Sequence, residues 1–135
     1  ILLRPLTFMN LSGEALRPLR RRVGLRAQDM LVVHDDIDLS EGEVRVKKGG
    51  SSGGHLGVMS VIESMGSADF LRVRLGVGRP SAPEEAAGYV LEPLDDGGMR
   101  RLKDTAARGA DAVECVLLEG EEEAMRRFNR RRVTS

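Results

Sequence analysis

The feature that most limits the fold of this chain is a glycine-rich run between a strand-like segment and a helical pattern. Residues 49–57 read GGSSGGHLG and hold five glycines in nine positions. Glycine loses more backbone freedom on folding than other residues, so such a cluster indicates unusual dihedral angles or a close approach to the backbone. A turn before a helix also presents unpaired N–H groups, which bind anions. The run therefore predicts a loop that can hold a phosphate or a developing oxyanion.

The run matches neither of two common nucleotide-binding patterns. Gly49 and Gly54 have P-loop spacing, but His55 stands where that motif needs lysine. The later Gly76-Val77-Gly78 lacks the rest of a dinucleotide fingerprint. The alternative to an anion-binding loop is a hairpin-like crossover in which His55 is a structural histidine, and the sequence leaves both interpretations open.

Two stretches, residues 43–48 and 70–78, alternate between apolar and basic side chains with the period of a β-strand. The apolar set, predicted to be buried, is Val44, Val46, Leu71, Val73, Leu75 and Val77. The basic set on the opposite face is Arg45, Lys47, Arg72 and Arg74. We expect these four cations to share one face of a sheet, because such a basic rim binds a phosphate backbone.

Apolar spacing predicts the remaining elements. Met30–Val33 is an unbroken apolar run, typical of a strand buried on both faces. Ser12 is placed to cap a helix that begins near Gly13, and Asp95 or Asp96 a long helix that Gly120 ends. The predicted inward residues of three helices are Leu16, Leu19 and Val23; Val58, Val61, Ile62 and Met65; and Met99, Leu102, Ala106, Ala110, Val113 and Leu117. A further helix is predicted over residues 121–129.

Strands interleaved with helices predict the fold class. We expect an α/β fold, a single domain over residues 1–135 with a mixed, mainly parallel twisted sheet flanked by helices. Zero net charge, with 41% hydrophobic and 31% charged residues, fits a soluble globular protein. No apolar run reaches the roughly 20 residues that span a bilayer. The single cysteine, Cys115, permits no internal disulfide and suits a reducing cytosol, so we expect a cytoplasmic protein.

Residues 34–38, HDDID, follow a predicted strand, and α/β sheets collect ligands beyond the ends of their strands. For Asp36 and Asp38 the simpler interpretation is a turn in which carboxylates accept hydrogen bonds from backbone N–H groups. Asp35, nearest the strand end, is the stronger functional candidate, with the task of orienting a histidine. The spacing of histidines and carboxylates in the chain is unlike that of metal sites, so we predict no metal.

Four segments carry the most specific pattern in the chain. Residues 7–13 read TFMNLSG, residues 34–39 HDDIDL, residues 53–57 GGHLG and residues 70–78 FLRVRLGVG. In order and in spacing they resemble the TFMNLSG, HDELDL, GGHNG and FxRLRIGIG segments of bacterial-type peptidyl-tRNA hydrolases. The resemblance covers essentially the whole chain.

That resemblance implies an enzyme that hydrolyses the ester between a peptide and the terminal ribose of tRNA, by general-base activation of water and without a metal or cofactor. Asp35 matches the carboxylate that holds the catalytic histidine in its basic form. The positions implied to bind the acceptor stem and CCA end of peptidyl-tRNA are Phe8, Met9, Asn10, Arg45, Lys47, His55, Leu56 and Arg74. A cytoplasmic monomer is expected.

Two departures from the family pattern affect the expected activity. The family's catalytic histidine lies in an N-terminal strand and loop that we expect this chain to lack, since it begins mid-strand at Ile1. Neither His34 nor His55 matches that histidine, so we expect the 135 residues alone to be inactive. In addition, Leu56 stands where the family has a substrate-binding asparagine, and losing such a hydrogen bond costs about 1–3 kcal/mol.

Three functions follow from these patterns. A hydrolase predicts turnover of N-blocked aminoacyl-tRNA. A non-catalytic RNA-binding relative, which Leu56 favours, predicts salt-dependent tRNA binding without turnover. A small-molecule amidase or metal hydrolase is supported only by the acidic cluster in residues 34–38.

Overall fold

The structure, a computed structural model, describes residues 2–4, 9–78 and 95–130 of the chain. Its strands are β1 (Leu31–Asp36), β2 (Val44–Lys48) and β3 (Leu71–Gly76). Its α-helices are α1 (Arg17–Val23), α2 (Leu56–Met65), α3 (Asp96–Glu119) and α4 (Glu121–Phe128), and its 3₁₀ helices are Met9–Leu16 and Ala27–Asp29. Among the described helices, none combines the length and the apolar character that crossing a lipid bilayer requires.

The three strands form one sheet in the order β1-β3-β2. At one end of the β1–β3 pair, the Leu71 N–H donates to the Met30 carbonyl at 3.2 Å. At the other end, the Val77 N–H donates to the Asp36 carbonyl at 3.1 Å. Residue numbers rise together along the two strands, so β1 and β3 are parallel.

The β2–β3 pair runs in opposite directions. The Gly49 N–H donates to the Phe70 carbonyl at 3.1 Å, and the Gly76 N–H donates to the Glu43 carbonyl at 2.7 Å. Residue numbers rise along one strand as they fall along the other, so this pair is antiparallel. The expected α/β class with a mixed sheet is confirmed, and one of the two described strand pairs is parallel.

By its internal contacts the chain separates into two compact units. The first comprises the described residues up to Val32 together with Lys48–Leu71. The second comprises Val33–Lys47 and the described residues from Arg72 onward. The expectation of a single domain over residues 1–135 stays a prediction.

The core of the first unit forms where α2 packs against the first 3₁₀ helix. Its buried members are Leu16, Ala27, Val58, Val61, Met65 and Phe70. The predicted inward stripe of α2 is therefore confirmed, with Ile62 partly buried. Ser60 and Ser64 are also buried, because this side of α2 faces the 3₁₀ helix at a close approach.

The predicted start of the first helix is wrong. Ser12 lies inside a 3₁₀ helix, and α1 begins only at Arg17, without a side-chain cap. The reason is Pro18. In an α-helix begun at Gly13, residue 18 would donate its N–H to the carbonyl of Glu14, and proline has no N–H to donate. The inward placement of Val23 is also wrong.

Gly13 lies where the first 3₁₀ helix and α2 touch. Its N–H donates to Ser60 Oγ at 2.8 Å, and a Cβ at this position meets the Ser60 carbonyl oxygen at 2.1 Å. We expect Gly13→Ala to lower the free energy of unfolding in urea by about 2–4 kcal/mol, because backbone must move to relieve this overlap. Gly97→Ala is the matched control: its Cβ meets the tip of the Arg101 side chain at 3.2 Å and Asp95 Oδ1 at an ordinary van der Waals distance of 3.7 Å, so stability should hold or rise. Equal stability of the two variants would contradict this packing.

In the second unit, α3 packs against β3 through small residues. Its buried positions are Gly98, Thr105, Gly109, Ala112 and Cys115. The predicted inward face, which included Met99, Leu102 and Leu117, is wrong by about one residue in phase. A Cβ on Gly109 meets Leu75 Cδ2 at 2.5 Å, so glycine permits the close approach of helix to strand.

The ends of α3 and α4 follow their predictions. Asp95 Oδ1 accepts a hydrogen bond from the Gly98 N–H at 2.6 Å and caps α3, which Gly120 follows. α4 is acidic at its start and basic at its end. Within it, the hydrogen bond from Arg126 lowers the pKa of Glu123 to about 2.

β1 differs from its prediction in two respects. The strand continues through the polar residues to Asp36, because backbone pairing with β3 does not depend on side-chain polarity. It is also not buried on both faces: Val33 is 47% exposed. In the described sheet β1 is an edge strand with only β3 beside it, so its side chains are partly uncovered.

Candidate functional site

The glycine-rich loop adopts the unusual backbone that its composition predicts. The four glycines with positive φ are Gly49 (70°), Gly50 (96°), Gly53 (59°) and Gly54 (84°). Other residues are strained in this left-handed region, so the run requires glycine. The Gly49 N–H donates to the Phe70 carbonyl, so the loop and α2 together connect the two antiparallel strands β2 and β3. The hairpin-like alternative predicts such a connection.

His55 is the N-cap of α2. Its Nδ1 accepts a hydrogen bond from the Val58 N–H at 3.1 Å, so in the neutral ring Nε2 carries the hydrogen. A histidine in this tautomer has no ring nitrogen left to accept a proton from water. The structural interpretation of His55 is therefore the one that the geometry supports.

We expect substitutions of His55 to separate capping from chemistry. His55→Ala should lower the free energy of unfolding by about 1 kcal/mol, whereas His55→Asn, with a side chain that also caps helices, should preserve it. Urea unfolding checks both variants. A catalytic role for the imidazole predicts instead that the stable His55→Asn protein loses all hydrolysis of N-blocked aminoacyl-tRNA.

Two further substrate-binding candidates of the first unit, Asn10 and Leu56, are exposed. Asn10 lies on the first 3₁₀ helix, which the bond from Gly13 to Ser60 holds against α2. Leu56 is the first residue of α2 and is 54% exposed. Met9 begins the 3₁₀ helix, and Phe8 lies outside the described residues. An exposed leucine beside the glycine-rich loop offers apolar surface, not a hydrogen bond, to any ligand there.

The basic candidates lie on the antiparallel strands of the second unit. The register places Arg45 opposite Arg74, and Lys47 opposite Arg72, on one face. Like charges directly opposite each other repel, and two carboxylates offset part of this repulsion: Glu43 lies 3.7 Å from Arg45 Nη2, and Asp36 lies 2.8 Å from Arg74 Nε. We call this set, Arg45, Lys47, Arg72 and Arg74, the basic face.

The four members of the basic face differ in exposure. Lys47 is exposed, and Arg45 and Arg74 are partly buried. Arg72 is only 3% exposed, so the expectation that its side chain lies on an open surface is wrong. Burial, and then the charge of Arg74, lowers the pKa of the Arg72 guanidinium. Because it is buried, Arg72 is not placed to touch a ligand, whereas the other three members are at least partly exposed.

Asp36 pairs with the basic face. Its Oδ2 accepts a hydrogen bond from Arg74 Nε at 2.8 Å, and its Oδ1 accepts from the Asp38 N–H at 2.8 Å. The turn interpretation of Asp36 is therefore confirmed, with an ion pair in addition. Since Nε of Arg74 is engaged, its terminal nitrogens are the ones held in position for an anion.

Asp35 is the fifth residue of β1 and is partly buried. Side chains alternate along a strand, so Asp35 lies on the face opposite Asp36. The neighbouring His34 donates from Nδ1 to the Asp35 carbonyl at 2.8 Å, so a backbone oxygen contacts one nitrogen of that ring. In the described part of the chain, no cluster of three or more His, Cys, Asp or Glu side chains is arranged to hold a metal ion.

Asn129 supports the basic face, although nothing in the sequence indicates this role. Its Oδ1 accepts from the Val46 N–H at 2.8 Å, and its Nδ2 donates to the Val46 carbonyl at 2.9 Å. Its own carbonyl accepts from Arg45 Nη1 at 3.2 Å. One asparagine thus closes the outer edge of β2 and positions a cation of the basic face. A lone asparagine 83 positions away from Val46 gives no sequence signal for this pairing.

Comparison with known proteins agrees with the motifs. The family model for peptidyl-tRNA hydrolase matches residues 1–135. The chain is 53% identical over 131 residues to the peptidyl-tRNA hydrolase of Rubrobacter xylanophilus, covering 97% of this chain and 70% of the relative. It is 43% identical over 129 residues to that of Syntrophomonas wolfei, covering 96% and 69%.

A solved structure shows the same fold. The crystal structure of peptidyl-tRNA hydrolase from Acinetobacter baumannii superposes with a TM-score of 0.78 at 28% identity, over 93% of this chain and 63% of the other. This chain thus spans less than two thirds of the length of that protein. With its family model matched from the first residue to the last, and with relatives above 40% identity, the chain belongs to the peptidyl-tRNA hydrolase family.

Proposed function

We propose that this chain serves the hydrolysis of peptidyl-tRNA, the cleavage of the ester between a peptide and the terminal ribose that frees both for reuse. The observation that carries the proposal is the basic face, in a chain that belongs to this family. Four cations gathered on two strands of a protein without net charge form a local site for a polyanion. The acceptor stem of tRNA is such a polyanion.

Within this proposal, Arg45, Lys47 and Arg74 contact phosphates of the acceptor stem. Lys47 is the most accessible of them, and Arg45 and Arg74 are fixed by Asn129 and Asp36. Fixed guanidinium groups lose little freedom when they bind, so they contribute more to affinity than mobile ones. Asn10, with its exposed amide, and the positive-φ glycine loop next to His55 hold the CCA end.

Asp35 has the chemical role. We assign to its carboxylate the orientation of a histidine that activates water, as the family pattern implies. His55 caps α2 through its Nδ1, and neither His55 nor His34 matches the family's catalytic histidine in sequence. We propose that Asp35 serves that histidine and not one of these two. We further propose that the protein works as a cytoplasmic monomer.

A second function, tRNA binding without turnover, is favoured by one observation. Leu56, exposed where the family has asparagine, removes a polar contact to the substrate. A transition state that gains a hydrogen bond at this point is then stabilised less, by about 1–3 kcal/mol. That loss slows a reaction about 5-fold to 150-fold and does not by itself abolish it.

Turnover of N-acetylated aminoacyl-tRNA separates the two functions. The protein is produced as its reading frame encodes it, and release of the acetylated amino acid is measured under saturating substrate. Hydrolysis supports the proposal. Tight, salt-dependent tRNA binding without release supports the second function, and absence of both binding and release contradicts the proposal and the alternative together.

A further inference from the structure

A second group of basic side chains lies on and beside α1, and the proposed reaction does not use it. We call these residues, Arg17, Arg20, Arg21, Arg22 and Arg26, the α1 arginine cluster. They make up half of the ten residues 17–26, in a chain whose net charge is zero. α1 contains no acidic residue and buries none of its side chains fully, and Val23 at its end is 62% exposed. The cluster is therefore a surface feature and not part of a core.

Contacts within the first unit hold the cluster in place. Arg20 Nη1 donates to the Ser64 carbonyl at 2.8 Å, which ties α1 to the end of α2. The two ion pairs at the edges of the cluster are Arg17 with Glu14 at 3.3 Å and Arg26 with Asp29 at 3.2 Å. These contacts fix the direction in which the middle of α1 presents its side chains.

Arg21 and Arg22 carry the charge that is left unbalanced. Both are exposed, and within the described residues neither guanidinium has an ion-pair or hydrogen-bond partner. Arg17 and Arg21 are also one helical turn apart, where like charges destabilise a helix. The helix dipole favours cations near the C-terminus of α1 and offsets part of this cost.

We propose that the α1 arginine cluster is a second phosphate-binding surface, which takes the sugar–phosphate backbone of the tRNA. This inference rests on the proposed function. The cluster contains arginine only, and the planar guanidinium binds phosphate through two parallel hydrogen bonds, which lysine does not. A tRNA carries a phosphate at every nucleotide, so one substrate supplies ligands both for this cluster and for the basic face.

The test reverses the two unbalanced charges. Deacylated tRNA is titrated against the unmodified protein and the variant Arg21→Glu/Arg22→Glu at several salt concentrations between about 50 and about 200 mM. The expected result is an affinity lower by about 10-fold or more, with a slope of log K against log salt shallower by about two. The matched control is Arg100→Glu/Lys103→Glu on α3, which reverses two exposed helical cations. It should change the affinity less than about threefold, the size of effect expected from a weak interaction between exposed charges.

The outcomes separate the two levels of the proposal. An α1 variant with the affinity and salt slope of the unmodified protein overturns the second surface and leaves the proposed function standing. Equal losses in the α1 and α3 variants also overturn it, because the effect then reflects total charge alone. An unmodified protein that binds no tRNA overturns the proposed function and this inference together. Melting temperatures within a few degrees of the unmodified protein ensure that each variant is folded.

Discussion

In the protein produced as its reading frame encodes it, the variant Asp35→Asn is expected to hydrolyse N-blocked aminoacyl-tRNA about 10²- to 10⁴-fold more slowly than the unmodified protein, at saturating substrate. An amide has the shape of the carboxylate but lacks its charge, so it neither selects the basic tautomer of a neighbouring histidine nor stabilises the cation that forms when the ring takes a proton. The fall should appear in kcat, with KM nearly unchanged, because Asp35 is not proposed to bind tRNA phosphates.

Asp38→Asn is the matched control for Asp35→Asn. It makes the same chemical change three positions later, on an exposed side chain just after the end of β1. Its turnover should stay within about twofold of the unmodified protein, as is usual for a surface substitution. A kcat for Asp35→Asn that matches the control shows that this carboxylate does not take part in the reaction.

The double variant Arg45→Glu/Lys47→Glu is expected to bind tRNA at least about 100-fold more weakly. Each lost contact between a cation and a phosphate removes about 1.5–3 kcal/mol, and the new carboxylates also repel the backbone. The slope of log K against log salt should become shallower by about two. Filter binding of deacylated tRNA across a salt series measures both quantities.

Two controls accompany the double variant. Arg100→Glu/Lys103→Glu changes the net charge of the protein equally and should leave most of the affinity. Because Arg45 Nη1 also donates to the Asn129 carbonyl, a melting curve establishes that the edge of β2 stays intact. Unchanged tRNA affinity in a folded double variant rules out the basic face as the binding site.

Local sequence patterns predicted correctly the features that depend only on consecutive residues. Val44 and Val46 are each 2% exposed, as the alternation in β2 indicates, and Val58, Val61 and Met65 form the buried stripe of α2. The left-handed glycines of the loop also followed from composition. In each case a strand period or a helix period, or the freedom of glycine, is a property of consecutive residues.

Tertiary packing decided the elements that were predicted wrongly. On α3 the hydrophobic residues suggested an inner face through Leu102 and Leu117, yet the buried face runs through Gly109 and Ala112. Small residues there let the helix approach β3 closely, and large ones elsewhere on the helix remain outside. A hydrophobic period gives the spacing of a buried face, and the partner surface sets its phase.

In the candidate site, too, some features follow from local sequence and others from tertiary contacts. The alternation in residues 43–48 and 70–78 pointed to the basic residues, and the position of Asp35 just after an apolar run pointed to that carboxylate. The burial of Arg72, the ion pair of Arg74 with Asp36 and the hydrogen bonds of Asn129 depend on which strands become neighbours. These contacts join residues far apart in sequence, so no local pattern encodes them.

Single-turnover hydrolysis of N-acetylated aminoacyl-tRNA, followed over a range of protein concentrations with the protein in excess, tests the central claim most directly. The claim is that the basic face binds the tRNA while Asp35 serves the chemical step. We predict that Arg45→Glu/Lys47→Glu needs far more protein but approaches the unmodified rate at saturation, whereas Asp35→Asn remains slow at every concentration. If the protein produced as its reading frame encodes it releases no acetylated amino acid at any concentration, this division of roles is contradicted.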